Sequence, residues 1–267
     1  MTSTPSPYAT PDDGGGADLQ EAWRTGRVFG PPVRLVYRDV VADRVPIPRP
    51  PQAALLFAPS ADPYWHDDGR FLGDFYSEVL HQDTCDPYTA GAVPLLAALA
   101  VDDRVPPRQR FQVVGLLFAV ATVTERHRAQ CWPDTPPHAD PDSEYRAGEA
   151  VRCRTADLLA RWADECPAVR LALAALAVVH PTARTLPALT PRLQGFADHH
   201  PLGTDIGDYV RFVLVLAACD DTGTLDAVES FTQARWRGTA RGAPVRARAL
   251  HLLGRMLDGV ETVLAKS

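Results

Sequence analysis

The chain has 267 residues, a formal net charge of −6 and 46% hydrophobic side chains, ample apolar content for one continuous core or two smaller ones. The acidic balance argues against binding phosphate backbones over a broad face, and the apolar runs are about half the length that crosses a bilayer. With no basic-then-apolar signal pattern at the N-terminus, the expected location is the cytoplasm, and no membrane partner is expected.

Residues 1–16 place Pro5, Pro7, Pro11 and Gly14-Gly15-Gly16 among small polar residues, which predicts a disordered tail. Residues 17–63 form a proline-rich N-terminal segment with a short helix around Asp18 to Thr25 and a brief strand over Val33 to Tyr37. There Pro31, Pro32, Pro46, Pro48, Pro50 and Pro51 leave little room for regular structure. From 64 to 267 the pattern is helical. Phe71, Leu72, Phe75, Tyr76, Val79 and Leu80 step by three and four, a buried stripe that ends in the polar turn His81-Gln82-Asp83-Thr84. Asp86-Pro87 forces Asp86 out of helical dihedrals, and Thr89 suits the N-cap of the next helix, with Pro94 near the end of its first turn.

Asp102-Asp103 and Pro106-Pro107 mark the start of a helix on which Phe111, Val114, Leu117 and Phe118 share a face. Residues 131–143, with Pro133, Pro136, Pro137 and Pro141 among aspartates, read as the longest internal loop. Beyond it Val151, Thr155, Leu158, Leu159 and Trp162 form a stripe, Glu165-Cys166-Pro167 turns the chain, and Val169 to Val179 is apolar on nearly every side. The same alternation returns with Leu186, Leu189, Leu193 and Phe196, a break at Asp198 to Pro201, and the dense run from Ile206 to Cys219. It returns once more with Leu225, Val228 and Phe231, a turn at Gly238 to Gly242, and a closing stripe of Val245, Ala249, Leu252, Leu253, Met256, Val260 and Leu264. An amphipathic helix followed by a more buried partner is what stacked helical pairs require. The expected fold is all-α, a right-handed superhelical solenoid of about four or five such pairs.

An arginine opens each inner helix at a comparable place: Arg110, Arg170, Arg211 and Arg246. Asp164-Glu165-Cys166-Pro167-Ala168-Val169-Arg170 before an apolar helix resembles the HEAT-repeat signature, with Pro244-Val245-Arg246 as a partial second copy. The stretch from His81 to Leu96 is similar to bacterial HEAT-repeat proteins whose pattern runs His-Gln-Gly-Thr-x-Tyr-Pro-x-Thr-Ala-x-Ala-Val-Pro. His81, Gln82, Thr84, Pro87, Thr89, Ala90, Ala92, Val93 and Pro94 match in register, while Asp83 and Asp86 stand where that pattern has Gly and Tyr. Aspartate is among the few residues that tolerate a left-handed turn in place of glycine. The resemblance covers roughly residues 64–264 and implies an armadillo-like array of HEAT-like pairs, a turn aspartate and a helix arginine that tie successive repeats, and a binding scaffold.

His81, Gln82 and Thr84 are the candidate polar cluster, read either as a binding site or as groups that close the inter-helix turn. His66-Asp67-Asp68 and His138-Ala139-Asp140-Pro141-Asp142 lack the spacing of a known metal site. The five cysteines at 85, 131, 153, 166 and 219 include no Cys-x-x-Cys and read as reduced, mostly buried thiols. No Gly-x-Ser-x-Gly, phosphate-binding loop or dinucleotide fingerprint occurs, so neither catalysis nor a cofactor is expected. The leading function is an interaction scaffold that binds a protein or peptide on its concave face. The alternative is a nucleic-acid binder or DNA-repair glycosylase, which would use the basic patch Arg235, Trp236, Arg237 and Arg241. Its rival reading is a terminal repeat whose arginines keep an outer face soluble.

Overall fold

Three prolines stand where helices begin, while Pro94 and Pro191 lie inside helices. The ring presets a helical φ and the missing N–H is one that a first turn leaves unpaired. Pro107, Pro141 and Pro167 each open a helix in the computed structural model, which describes residues 79–80, 83–103, 105, 107–182, 185–218, 220–234, 236 and 242–266. The helices are α1 (Thr89–Val101), α2 (Pro107–Ala121), α3 (Val123–Cys131), α4 (Pro141–Ala160), α5 (Pro167–Val179), α6 (Thr185–His199), α7 (Asp205–Ala217), α8 (Asp221–Ala234) and α9 (Val245–Lys266). A 3-10 turn, Arg161–Ala163, follows α4. The fold is all-α, with no strand among the described residues. None of the described helices is long and apolar enough to cross a membrane. The expected tail, the proline-rich segment and most of the helix from Phe71 to Leu80 lie outside the described residues.

Helical pairs follow the sequence pattern. α1 lies on α2 and α4, α2 on α5, and α6, α8 and α9 pack around α7. α5 is the centre. From Val169 to Val179 every residue except Arg170 is buried, because α2, α4, α6, α7 and α9 all pack on it.

Two features depart from the expected pattern. The helix that begins at Pro107 breaks at Thr122, whose hydroxyl donates to the Phe118 carbonyl at 2.8 Å, and the chain resumes as α3. The last helix also does more than close a final pair. α9 packs on α7 and α8 and continues over α3, α2 and α5. There Gln112 Nε2 donates to Glu261 Oε1 at 2.6 Å, and a Cβ on Gly254 would come within 3.2 Å of the Phe118 ring. α9 therefore joins the last helices of the chain to α2, α3 and α5, contacts beyond those of a final pair with its neighbour.

Candidate functional site

The polar turn is held by one residue of the cluster's neighbourhood. His81 and Gln82 lie outside the described residues, so their part in the cluster stays with the sequence reading. Asp83 adopts φ 62°, the left-handed conformation for which the resembled pattern has glycine, and its carboxylate lies 3.4 Å from Arg126. Thr84 is buried and its hydroxyl has no hydrogen-bond partner among the described residues. Thr89 closes the turn: its Oγ1 accepts the Asp86 N–H at 2.9 Å and donates to the Val79 carbonyl at 2.8 Å. Expected as an N-cap, Thr89 is instead the first helical residue, with Tyr88 at the cap, and its hydroxyl reaches backward to the preceding segment.

The recurring arginines share a role that spacing alone did not specify. Each donates to backbone carbonyls at or just beyond a helix C-terminus, where carbonyls are unpaired and the macrodipole favours a cation. Arg110 bonds Val105 O at 2.9 Å and Asp102 O at 3.3 Å, and Arg170 bonds Ala163 O at 2.9 Å. Arg211 bonds His200 O at 2.7 Å and Ala197 O at 3.1 Å, and Arg246 bonds Val179 O at 2.8 Å. Arg170 and Arg211 thus act within their own helical pairs. Arg246 reaches back to the end of α5, and Arg110 also crosses to the next pair, its Nη2 2.9 Å from Glu165 Oε2. Arg161 pairs with Asp103 and stands 3.6 Å from Glu165 Oε1. Glu165 is therefore the buried acid at that junction and Asp103 its exposed one, 3.8 Å from Arg110, while Asp164, the turn aspartate of the resembled signature, is exposed.

The basic patch is not assembled within the described residues, since Arg235, Arg237 and Arg241 lie outside them. Trp236 is packed on α9, so closely that a Cβ at Gly259 would meet its ring at 2.6 Å. Downstream, Arg248 is buried and donates to Glu229 Oε1 at 2.5 Å. No cluster of three or more His, Cys, Asp or Glu with metal-binding geometry occurs among the described residues. In the loop expected over 131–143, which spans 132–140, Asp140 caps α4 by accepting from Ser143 N at 3.2 Å. Of the described cysteines, all free, Cys85 and Cys166 are buried, Cys131 is half-buried and Cys153 is exposed. Burial and the Glu144 charge push the Cys85 thiol up to about 12, so it stays protonated.

One buried pair carries no sequence motif. His127 Nδ1 on α3 lies 3.0 Å from Glu144 Oε1 on α4, both side chains are nearly inaccessible, and Thr124 donates to the other carboxylate oxygen at 2.7 Å. Burial alone would raise the Glu144 carboxyl, but the close approach of His127 and the Thr124 hydrogen bond outweigh it and hold it below its ordinary 4.5. At the far end of α5, burial together with the Arg152 and Arg246 charges lowers His180 from 6.5 to about 4, with Glu149 opposing. Both groups bind protons more readily when unfolded, so both contributions are lost on acidification. Stability is expected to fall in two stages, from about pH 6.5 toward 4 as the unfolded chain takes up the proton His180 resists, and below 4.5 as Glu144 is neutralised. Urea midpoints measured against pH check this: His180→Asn should flatten the upper stage and Glu144→Gln the lower, and unchanged profiles would refute the assignment.

A second opening in the fold is a trough. α4 and α6 both lie against α5 but scarcely against each other, and the space between them has a volume of about 850 Å³. The buried Trp162, Val179 and Leu189 form its floor, Ala156, Leu159, Ala160 and Ala188 its walls, and the exposed Arg152 and Arg192 line it as well, with His180 near Arg152. A smaller cleft between α2, α3 and α9 mixes Arg126, Arg255, Asp258 and Glu261. Comparison with protein-family models, curated proteins and solved structures gives no match.

Proposed function

We propose that the chain is a non-catalytic interaction scaffold, a stack of HEAT-like helical pairs that binds a protein or peptide partner. The observation that carries this reading is the trough between α4 and α6, a largely apolar surface left open within an otherwise filled helical array. The binding surface in this reading is the trough and not a concave face. The recurring arginine caps support the repeat reading, since the same residue solves the same problem at the ends of successive helices. The nucleic-acid alternative loses its aromatic group, because Trp236 is packed against Gly259 and not presented for stacking.

A tagged pull-down of the full chain from its source cell, with nuclease treatment and washes at low and high salt, tests the class of partner. A stoichiometric protein that survives high salt is expected, because an apolar interface is little affected by salt whereas phosphate contacts weaken steeply. Nucleic acid lost at high salt with no protein retained would overturn the proposal and make glycosylase activity the next assay.

A further inference from the structure

The trough joins an apolar floor to cationic lips on a chain of net charge −6. Arg152 stands at one lip and Arg192 at the other, and no carboxylate lines the trough among the described residues. Glu149, on the same helix, holds Arg152 bidentately, with the Arg152 Nε and Nη2 2.9 and 2.6 Å from its carboxylate oxygens, but both side chains are substantially exposed, so an incoming carboxylate competes with Glu149 for Arg152 and meets Arg192 at the other lip. Arg246 adds to the positive field at the His180 end. Ala156 and Ala160 lie one turn apart on α4 and are exposed, so a neighbouring helix can approach α4 closely there.

Resting on the scaffold reading, we propose that the trough between α4 and α6 binds an acidic amphipathic helical segment of another protein. Its apolar face seats on Trp162, Leu159 and Leu189 while its carboxylates meet Arg152 and Arg192. A helix fits better than an extended strand, because the walls are helices and the described residues contain no sheet edge to which a strand could add. The charge selects the sign of the partner, since a basic helix would leave both guanidinium groups facing like charge.

The test uses the full chain and two fluorescein-labelled synthetic helical peptides with the same leucine and alanine face, one with a glutamate polar face and one with lysine. By anisotropy the glutamate peptide is expected to bind at least about tenfold more tightly than the lysine peptide at low salt. The double reversal Arg152→Glu with Arg192→Glu is expected to invert that preference, and Ala160→Trp, at an exposed position, to abolish binding with the thermal midpoint unchanged. Bound peptide should also slow alkylation of Cys153, which is exposed in the trough, without slowing Cys131. Equal binding of the two peptides, or binding indifferent to Ala160→Trp, overturns the proposal. So does a single-stranded oligonucleotide that displaces the glutamate peptide and binds more tightly. If a protein captured by the wild-type chain is retained by the Ala160→Trp variant, the trough falls and the scaffold reading stands; if the wild-type chain captures no protein, the scaffold reading itself falls.

Discussion

Replacing Arg110 with alanine is expected to destabilise the chain by about 3–5 kcal/mol, the cost of breaking a buried ion pair from one side. The side chains of Arg110 and Glu165 are 8% and 1% exposed and meet at 2.9 Å. Without the guanidinium, Glu165 keeps only Arg161 at 3.6 Å, and the Val105 and Asp102 carbonyls lose their donor. Arg170 has the same place in its own helix but bonds one carbonyl within its own pair and lies partly open to solvent, so Arg170→Ala should cost about 1 kcal/mol. Urea denaturation of the two variants side by side checks the difference, and equal losses would refute a special role for the Arg110 junction. Arg110→Met with Glu165→Leu should recover much of the loss, because an apolar pair of similar volume leaves no buried charge behind.

That contrast shows how far the sequence could be read. The arginine spacing was legible, since a residue that recurs at the start of inner helices does so for a repeated structural reason. Its partners were not, because the acceptors are backbone carbonyls, which every residue carries, and the acid across the junction is Glu165 and not its neighbour Asp164. Helix positions were legible from stripes such as Leu186, Leu189 and Leu193, all buried on α6. The break at Thr122 was not, because apolar residues run through Val120 and Val123 on both sides, and a threonine hydroxyl on the i−4 carbonyl, as at Thr122, also occurs within the unbroken α4 at Thr155. A stripe records that a helix is buried and not which neighbour buries it. Of the expected stripe of α9, Ala249, Leu252, Leu253, Met256 and Val260 are buried and Val245 is half-buried, but Ala247, Leu250 and Leu257 are buried as well, in keeping with its contact with α2 and α3 in addition to α7 and α8. The trough had no sequence signature, because it arises from the separation of α4 and α6, residues distant in the chain.

Gly207→Ala is the second substitution with a large expected effect, a loss of about 3 kcal/mol or more. Gly207 lies in the first turn of α7, where its N–H donates to Thr204 Oγ1 at 3.1 Å and caps the helix. A Cβ there would stand 2.0 Å from the Pro201 carbonyl oxygen and 2.7 Å from Thr204 Oγ1. The threonine hydroxyl could rotate away at the cost of the cap, but the Pro201 oxygen is backbone and accepts the Thr204 hydroxyl at 2.7 Å. Relief therefore requires the whole turn from Pro201 to Thr204 to move. Two residues of α7 are tied to that turn and its approach, Asp208, whose carboxylate accepts the Gly203 N–H at 2.7 Å, and Arg211, which donates to the His200 carbonyl, so the displacement spreads to the end of α6. Gly115→Ala on α2 is the control: a Cβ there meets nothing within 4 Å, and the helix gains a better helix former. Thermal and urea unfolding should show a large loss for the first and no loss for the second. If Gly207→Ala unfolds like the wild type, the close approach of the α6–α7 turn to α7 is wrong, and with it the account of how Arg211 caps α6.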